Sequence, residues 1–339
     1  MTHSHGSLHA AHPTLGSVNT SNSASATIDG PEREALRRAF LDQGFARVGF
    51  TSARPVPERV SAWVASGAHA GMEWMLRRPA ARADPTDLLP GARSVICVGA
   101  AYPQAQPGSL LAAYACGEDY HRSLRAALER AVAALPAPEG AAPAARICVD
   151  TAPLLERAFA ARAGLGWIGR NTMLLNETHG PWLMLAEVLT ELPIAPDEPA
   201  SDRCGSCNAC VQACPTGALD GEYGLDARRC LSYWTIEHRG PLPEPWNASL
   251  GKHAFGCDDC LTACPFPKTP TAVPVPGPFE PRPELASLDA AALRSRSAQS
   301  FRRHFGSTPL ERARKGGLLR NLDAIEAHPP QGASGPRPT

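Results

Sequence analysis

Lysine is almost missing from this chain of 339 residues: Lys252, Lys268 and Lys315 are the only three among 33 basic side chains. That bias, beside abundant alanine, reflects a GC-rich coding sequence more than function. Net charge is missing as well, since 33 acidic residues balance the 33 basic ones. A neutral chain is not drawn to polyanions by bulk charge, so any nucleic-acid contact must come from a local patch. No apolar run reaches the length of a membrane span. The N-terminus lacks a charged region followed by an apolar stretch, so no secretory signal is read, and no twin arginine precedes Arg37–Arg38, which sit in a helical pattern. These absences lead us to expect a cytoplasmic protein without membrane contact, and a monomer. Cysteine, by contrast, is plentiful. Eleven of them in a chain without an export signal read as metal ligands before disulfides.

Residues 1–28 are Ser, Thr, Asn, Ala and His without periodicity and are expected to be a disordered tail, with His3, His5, His9 and His12 solvated rather than metal-bound. Asp29 followed by Pro31 predicts a capped helix start, and Gly44 its end. Phe45–Phe50 alternates like a strand. Ser94–Ala101 is a continuous apolar run, the mark of a buried strand. Leu110–Leu135 reads as helix broken at Gly117, Arg146–Val149 as a strand ending at Asp150, and Pro153–Ala163 as a helix. Residues 172–175 and 182–190 read as a hairpin across Asn176–Gly180. The alternation predicts an α/β domain over 29–195. Leu192–Pro199 reads as a linker, 196–266 as the cysteine domain, and 267–325 as a Pro-rich wrap followed by a basic helical segment. The eight prolines of 265–283 predict an extended surface path, and 326–339 a frayed end.

The cysteines carry the strongest signal. Cys204-Gly-Ser-Cys-Asn-Ala-Cys-Val-Gln-Ala-Cys-Pro215 has the Cys-x2-Cys-x2-Cys-x3-Cys-Pro spacing of bacterial ferredoxins. Three thiolates on one tight loop face one cubane, and the fourth is carried off on the following helix to ligate the other. A second set is therefore required, and Cys230 with Cys257-Asp-Asp-Cys260-Leu-Thr-Ala-Cys264-Pro supplies it. Exchange of the fourth ligand assigns Cys204, Cys207, Cys210 and Cys264 to one [4Fe–4S] cluster, and Cys214, Cys230, Cys257 and Cys260 to the other. Zinc or disulfides are the alternatives, but zinc favours isolated Cys-x2-Cys pairs over a triple with a terminal Cys-Pro. Cys97 and Cys148 lie in apolar runs and are expected to be packing residues. Nothing marks Cys116 as reactive. A ferredoxin module only moves electrons, so the preceding residues must bind their acceptor.

Several further segments resemble the epoxyqueuosine reductases, which complete queuosine in tRNA. They are Gly117-Glu-Asp-Tyr-His121, Asp150-Thr-Ala-Pro-Leu-Leu-Glu-Arg157, Ala163-Gly-Leu-Gly-Trp-Ile-Gly-Arg-Asn-Thr172, Cys230-Leu-Ser-Tyr-Trp-Thr-Ile-Glu-His238, Gly256-Cys-Asp-Asp-Cys260, Phe305-Gly-Ser-Thr-Pro-Leu and Gly317-Leu-Leu-Arg-Asn321. The resemblance covers about 30–325. It implies an α/β (α+β) cobalamin-binding domain, a ferredoxin-like two-[4Fe–4S] domain and a short helical C-terminal segment. It also implies a base-off cobalamin, cobalt(II) at rest, fed by the clusters from an external electron donor. The reaction is reduction of epoxyqueuosine at the wobble position, with the anticodon loop as partner. Asp150 falls on the family's proton donor; its bland reading is a cap for the helix from Pro153. Arg82, Gly169, Arg170, Asn171, Leu174, Val211 and Ser232 fall on cobalamin contacts, with Asp150 and Tyr233 lining the same site.

Two departures stand out. The arginine that precedes Tyr-Ala in family members is Ala113 here, and Trp234 replaces a common leucine. The arginine-rich C-terminal segment, with Arg302, Arg303, Arg312, Arg314, Lys315 and Arg320 and only Glu311 nearby, is a candidate tRNA phosphate patch. Rival readings are a cobalamin-dependent reductive dehalogenase, which usually carries an export signal, and a plain electron carrier, against which the long N-terminal domain argues.

Overall fold

The computed structural model describes residues 26–57, 59–104, 108–137, 139–267, 279–286 and 288–329. Helix α1 (Gly30–Leu41) starts where Asp29 accepts a hydrogen bond from the Gly30 N–H, with proline in the first turn. Strand β1 (Arg47–Ser52) pairs with β2 (Ser94–Ala101), which covers the whole apolar run. Helix α2 (Tyr120–Val132) is capped by Asp119. Strand β3 (Ala145–Cys148), helix α3 (Glu156–Arg162) and strand β4 (Leu183–Thr190) follow. The sheet order is β1-β2-β4-β3, and every pairing is antiparallel. The layering is helix, sheet, helix, so the mixed α and β content expected is present, in its α+β form.

Burial on both faces explains the unbroken apolar runs. Ile96, Val98, Ala186 and Val188 face α1 and α2, where Phe40, Leu124 and Leu128 close the first core. Val95, Cys97, Cys148, Leu185 and Leu189 face α3, with Phe159, Ala160 and Leu165. Cys97 and Cys148 are thus packing residues, buried and unpaired.

Four expectations are corrected. The helix expected over Leu110–Leu135 breaks at Gly117 as expected, but before the break it is only a short 3-10 turn at Ala113–Ala115, and α2 restarts at the Asp119 cap. The hairpin across Asn176–Gly180 is a single bridge: Leu174–Leu175 pairs back onto Trp167–Ile168, and 183–190 joins the main sheet. The expected linker is an integral edge. Ile28 bridges Ile194, and the Asp197 carboxylate gathers Arg33, Arg37 and the Phe50 N–H. The first domain therefore closes on itself just before the cysteines, and the tail ends before Ile28. The histidines of that tail, the prolines of 268–278 and residues 330–339 lie outside the described residues.

A third core joins the C-terminal segment to the rest. Phe301 and Phe305 of α4 (Ala298–Phe305) and Leu318 and Leu322 of α5 (Arg314–Ala327) pack with Leu111, Ala254 and Phe255. Buried Asn321 donates to the Thr235 and Ala254 carbonyls at 2.9 and 2.8 Å. No helix among the described residues is long and apolar enough to cross a membrane.

Candidate active site

Asp150 follows the end of β3 in a left-handed conformation, φ +53°, within a γ-turn closed by the Thr151 N–H on the Val149 carbonyl at 2.5 Å. It does not cap α3, which begins six residues later at Glu156. The Glu156 carboxylate instead accepts the Asp150 N–H at 2.7 Å. The Asp150 carboxylate lies 3.2 Å from His121 Nε2, and His121 Nδ1 lies 2.7 Å from Asp119, the cap of α2. Helix capping thus places a carboxylate–imidazole–carboxylate chain at the sheet end. A cavity of about 390 Å³ opens beside it, lined by Asp119, His121, Arg122, Arg125, Val149 and Thr151.

The electrostatics of this chain leave Asp150 ionised when nothing covers it. Partial enclosure pushes the Asp150 pKa up, but the hydrogen bond and charge of His121, and then the Tyr120 hydroxyl, outweigh it and leave the carboxyl below its usual range. Enclosure lowers the His121 pKa, yet the two carboxylates raise it to about 9. At neutral pH the pair is an imidazolium beside a carboxylate, and its proton sits on His121. His121 ends the Gly117–His121 motif and lies outside the site residues that the resemblance implies. An aspartate two residues before a histidine at a helix start is the signal that finds it.

Six of the eight motif thiols lie in two small cores. Cys210 is raised in pKa by burial and then by Cys204 and Cys264, and Cys204 and Cys264 share a small core with Trp167. Cys210 also packs with Cys214, Cys230 and Cys260, and the burial-raised Cys257 lies beside Cys230 and Cys260. Cys207 is exposed at the loop tip. Peptide N–H groups point at the sulfurs, as at Ala218 to Cys214 (3.2 Å), the pattern that stabilises thiolates and metal–sulfur sites. His253 lies 3.7 Å from the Cys257 sulfur and 3.0 Å from Asp259.

The residues placed on cobalamin contacts divide. Arg82 is half-buried over the Trp74 ring, 5.6 Å from its centroid, and its Nε has no partner. Ser232 leads into a π-helical turn at Tyr233–Glu237 and hydrogen-bonds the Cys230 sulfur; the Tyr233 hydroxyl accepts from the Gly71 N–H at 3.0 Å. Gly169 lies in a tight turn where a Cβ would come within 2.4 Å of Leu175. Arg170 donates to the Gly221 and Gly205 carbonyls, so its guanidinium joins the two domains. Buried Asn171 closes its own turn on the Met173 N–H and reaches the Cys260 carbonyl at 3.5 Å. The Leu174 side chain is in the second core, and Val211 packs with Cys214 and Leu219. The Ala113 N–H, where the family arginine is missing, donates to Asp258 at 2.6 Å. Trp234 fills its pocket by stacking on Trp246.

The basic patch also divides. Arg320 is spent internally, on the carbonyls of Trp234, His238 and Gly240, and Lys315 on those of Arg294 and Arg296. Arg312 pairs with Glu237 at 2.7 Å, close enough to Asp150 to help hold it ionised. Arg302, Arg303 and Arg314 are exposed.

Residues 82–151 match the family model described as Epoxyqueuosine reductase QueG, DUF1730, and residues 203–267 that of a 4Fe-4S double cluster binding domain. The epoxyqueuosine reductase of Xanthomonas campestris is 35% identical over 300 residues, covering 85% of this chain and 84% of its own. That of Pseudomonas aeruginosa is 37% identical over 312 residues, covering 86% and 85%. A crystal structure of an epoxyqueuosine reductase with an epoxyqueuosine-modified tRNA-Tyr stem loop superposes with a TM-score of 0.80 at 31% identity, covering 87% of this chain and 81% of that one. A Bacillus subtilis epoxyqueuosine reductase with its catalytic aspartate loop swung out of the active site gives 0.77 at 30% identity, over the same shares.

Proposed function

From the premise that the chain belongs to the epoxyqueuosine reductase family, an oxidoreductase family of tRNA modification, we propose that it reduces epoxyqueuosine to queuosine at the wobble position of tRNA. Two electrons and two protons convert the epoxide to an alkene, and the oxygen leaves as water. When bound, two [4Fe–4S] clusters and a cobalamin supply the low-potential electrons. Cys204, Cys207, Cys210 and Cys264 hold one cluster, and Cys214, Cys230, Cys257 and Cys260 the other. The clustering of thiols under peptide N–H donors fits that cargo. Arg82, with its buried Nε free, fits an amide- and phosphate-bearing corrinoid, as do Ser232 and the Gly169–Leu174 turn backbone.

The observation that carries the chemistry is the Asp119–His121–Asp150 chain. An opening C–O bond leaves an alkoxide, which departs only as it is protonated. Covering Asp150 with substrate desolvates its carboxylate and raises its pKa, drawing over the proton that His121 holds. Asp150 then donates to the oxygen, and His121 is recharged from the solvent cavity beside it. We take 149–155 as the counterpart of the aspartate loop seen swung out in the Bacillus subtilis relative. Arg302, Arg303 and Arg314 serve the tRNA backbone.

Single turnover of an epoxyqueuosine anticodon stem loop, with a strong chemical reductant and with or without added cobalamin, tests the reading. Loss of the epoxide oxygen only when cobalamin is present supports it. An unchanged substrate with clusters and corrinoid both loaded refutes it.

A further inference from the structure

Asp150 is held in a costly backbone conformation, and what holds it lies beneath the sheet face. A positive φ is unusual for any residue with a Cβ, and a γ-turn of this hand is rare. Strain of this kind persists only where the surroundings over-determine it. The Asp150 N–H has one partner, Glu156 Oε1 at 2.7 Å. Behind Glu156 lies Glu187, in the middle of β4, fully buried and with neither carboxyl oxygen given a hydrogen bond of normal geometry. Its register partners on the two neighbouring strands are Cys97 and Cys148, and it shares the face of Leu185 and Leu189 under α3. An apolar residue there would cost nothing in desolvation, whereas a carboxyl does.

We infer that Glu156 is a positioning residue for the reaction proposed above: backed by the buried Glu187, it holds the Asp150 peptide in its left-handed turn and so aims the Asp150 side chain. This rests on Asp150 being the proton donor. The chemistry follows from setting the buried Glu187 carboxyl against that of the half-buried Glu156. They cannot both ionise, so one keeps a proton. Burial puts that proton on Glu187, whose pKa is raised well above the usual range, by burial first and then by Glu156. Glu156 is raised to about 7, again by burial first and then by Asp150. A protonated Glu187 can only donate toward Glu156, which leaves the Glu156 carboxylate as a charge-assisted acceptor for the Asp150 N–H. The other ionisable groups facing the pair are Cys97, Cys148, Arg157 and Arg162, with Arg146 near Cys148. The thiols of Cys97 and Cys148 are themselves pushed up by burial.

The test uses full-length protein loaded with clusters and cobalamin, and reads hydrogen–deuterium protection of the 149–155 segment beside kcat and KM. Glu156→Ala should lose at least about tenfold in protection there and about 10- to 100-fold in kcat, with KM and both cofactor spectra unchanged. Glu187→Gln keeps a neutral buried donor and should stay within about threefold of wild type in both. Glu187→Leu, which suits the apolar core should Glu156→Ala fail to fold, removes the donor. Its 149–155 protection should fall more at pH 6 than at pH 8, as Glu156 takes up the proton. Wild-type protection in both Glu156→Ala and Glu187→Leu overturns the inference, as does equal damage from Glu187→Gln and Glu187→Leu. If the wild-type enzyme leaves epoxyqueuosine unreduced, the proposed function fails, while the protection measurements still decide the role of Glu156.

Discussion

Replacing Asp150 by asparagine separates proton donation from everything else that residue does. Asparagine tolerates a positive φ about as well as aspartate, so the γ-turn and its bond to Glu156 should survive. What goes is the transferable proton. Positioned proton transfer is worth about 10²–10⁴ in rate, or roughly 2.7–5.5 kcal/mol of barrier at about 1.36 kcal/mol per decade. We expect kcat for an epoxyqueuosine stem loop to fall by that range, with cluster and corrinoid absorption intact. A second signature is local. His121 sits between Asp119 at 2.7 Å and Asp150 at 3.2 Å, and these two carboxylates hold its pKa at about 9. Without the Asp150 charge it should titrate lower, yet stay above 6.5 because the closer carboxylate remains. An NMR titration of His121 in wild type and Asp150→Asn reads this directly. Turnover within a few-fold of wild type would refute Asp150 as donor and leave His121, bound water or Tyr233. An unmoved His121 would refute the ion pair itself.

Further outcomes follow from the same geometry. Anaerobically reconstituted protein should hold about eight irons and eight sulfides, as two cubanes require; Cys204→Ser and Cys214→Ser should each perturb a different cluster, and stoichiometric zinc without iron would contradict the assignment. Neutralising Arg302, Arg303 and Arg314 together should lower the log–log salt slope of stem-loop binding by about one per lost phosphate contact. Arg320→Ala should instead lower Tm, since its guanidinium serves three carbonyls. The His121 pKa is raised on folding, so its contribution to stability is full below pH about 6.5 and is lost as pH rises through about 9; His121→Gln should flatten Tm against pH across that window.

How much of this was legible depended on how local the signal is. The cysteine spacing is set by one cubane and survives any surroundings, so a double-cluster domain was readable from the sequence alone. Ser94–Ala101 was readable because burial on both faces leaves no polar position to confuse the pattern. The fate of 172–175 was not, because a two-residue ladder is decided by Gly166 and Gly169 packing on Leu175, a tertiary contact without periodicity. The linker at 192–199 looked loose from its prolines, but its order comes from Asp197 meeting two arginines about 160 residues earlier. The ionisation of Asp150 was not legible for the same kind of reason: its controlling partner, His121, is 29 positions away, on α2. The inward turn of Arg320 was not legible either, because a count of arginines does not reveal which guanidinium groups face carbonyls.

The closure of the first domain ahead of its cysteines divides the chain by what it needs from iron. Ile28 on Ile194, and Asp197 on Arg33, Arg37 and Phe50, complete a sheet and two cores that, among the described residues, borrow only Leu261, Phe279 and Cys260 from beyond residue 200. The C-terminal helices have no such independence: Phe301, Leu318 and Asn321 are seated on the 254–255 stretch between cluster ligands. Iron starvation or oxidative loss of the clusters would therefore be felt first beyond the first domain. The end of the chain would loosen together with the cysteine loops, and with it the bond from the Asp119 N–H to the Ser307 carbonyl and the Arg312 charge beside Asp150.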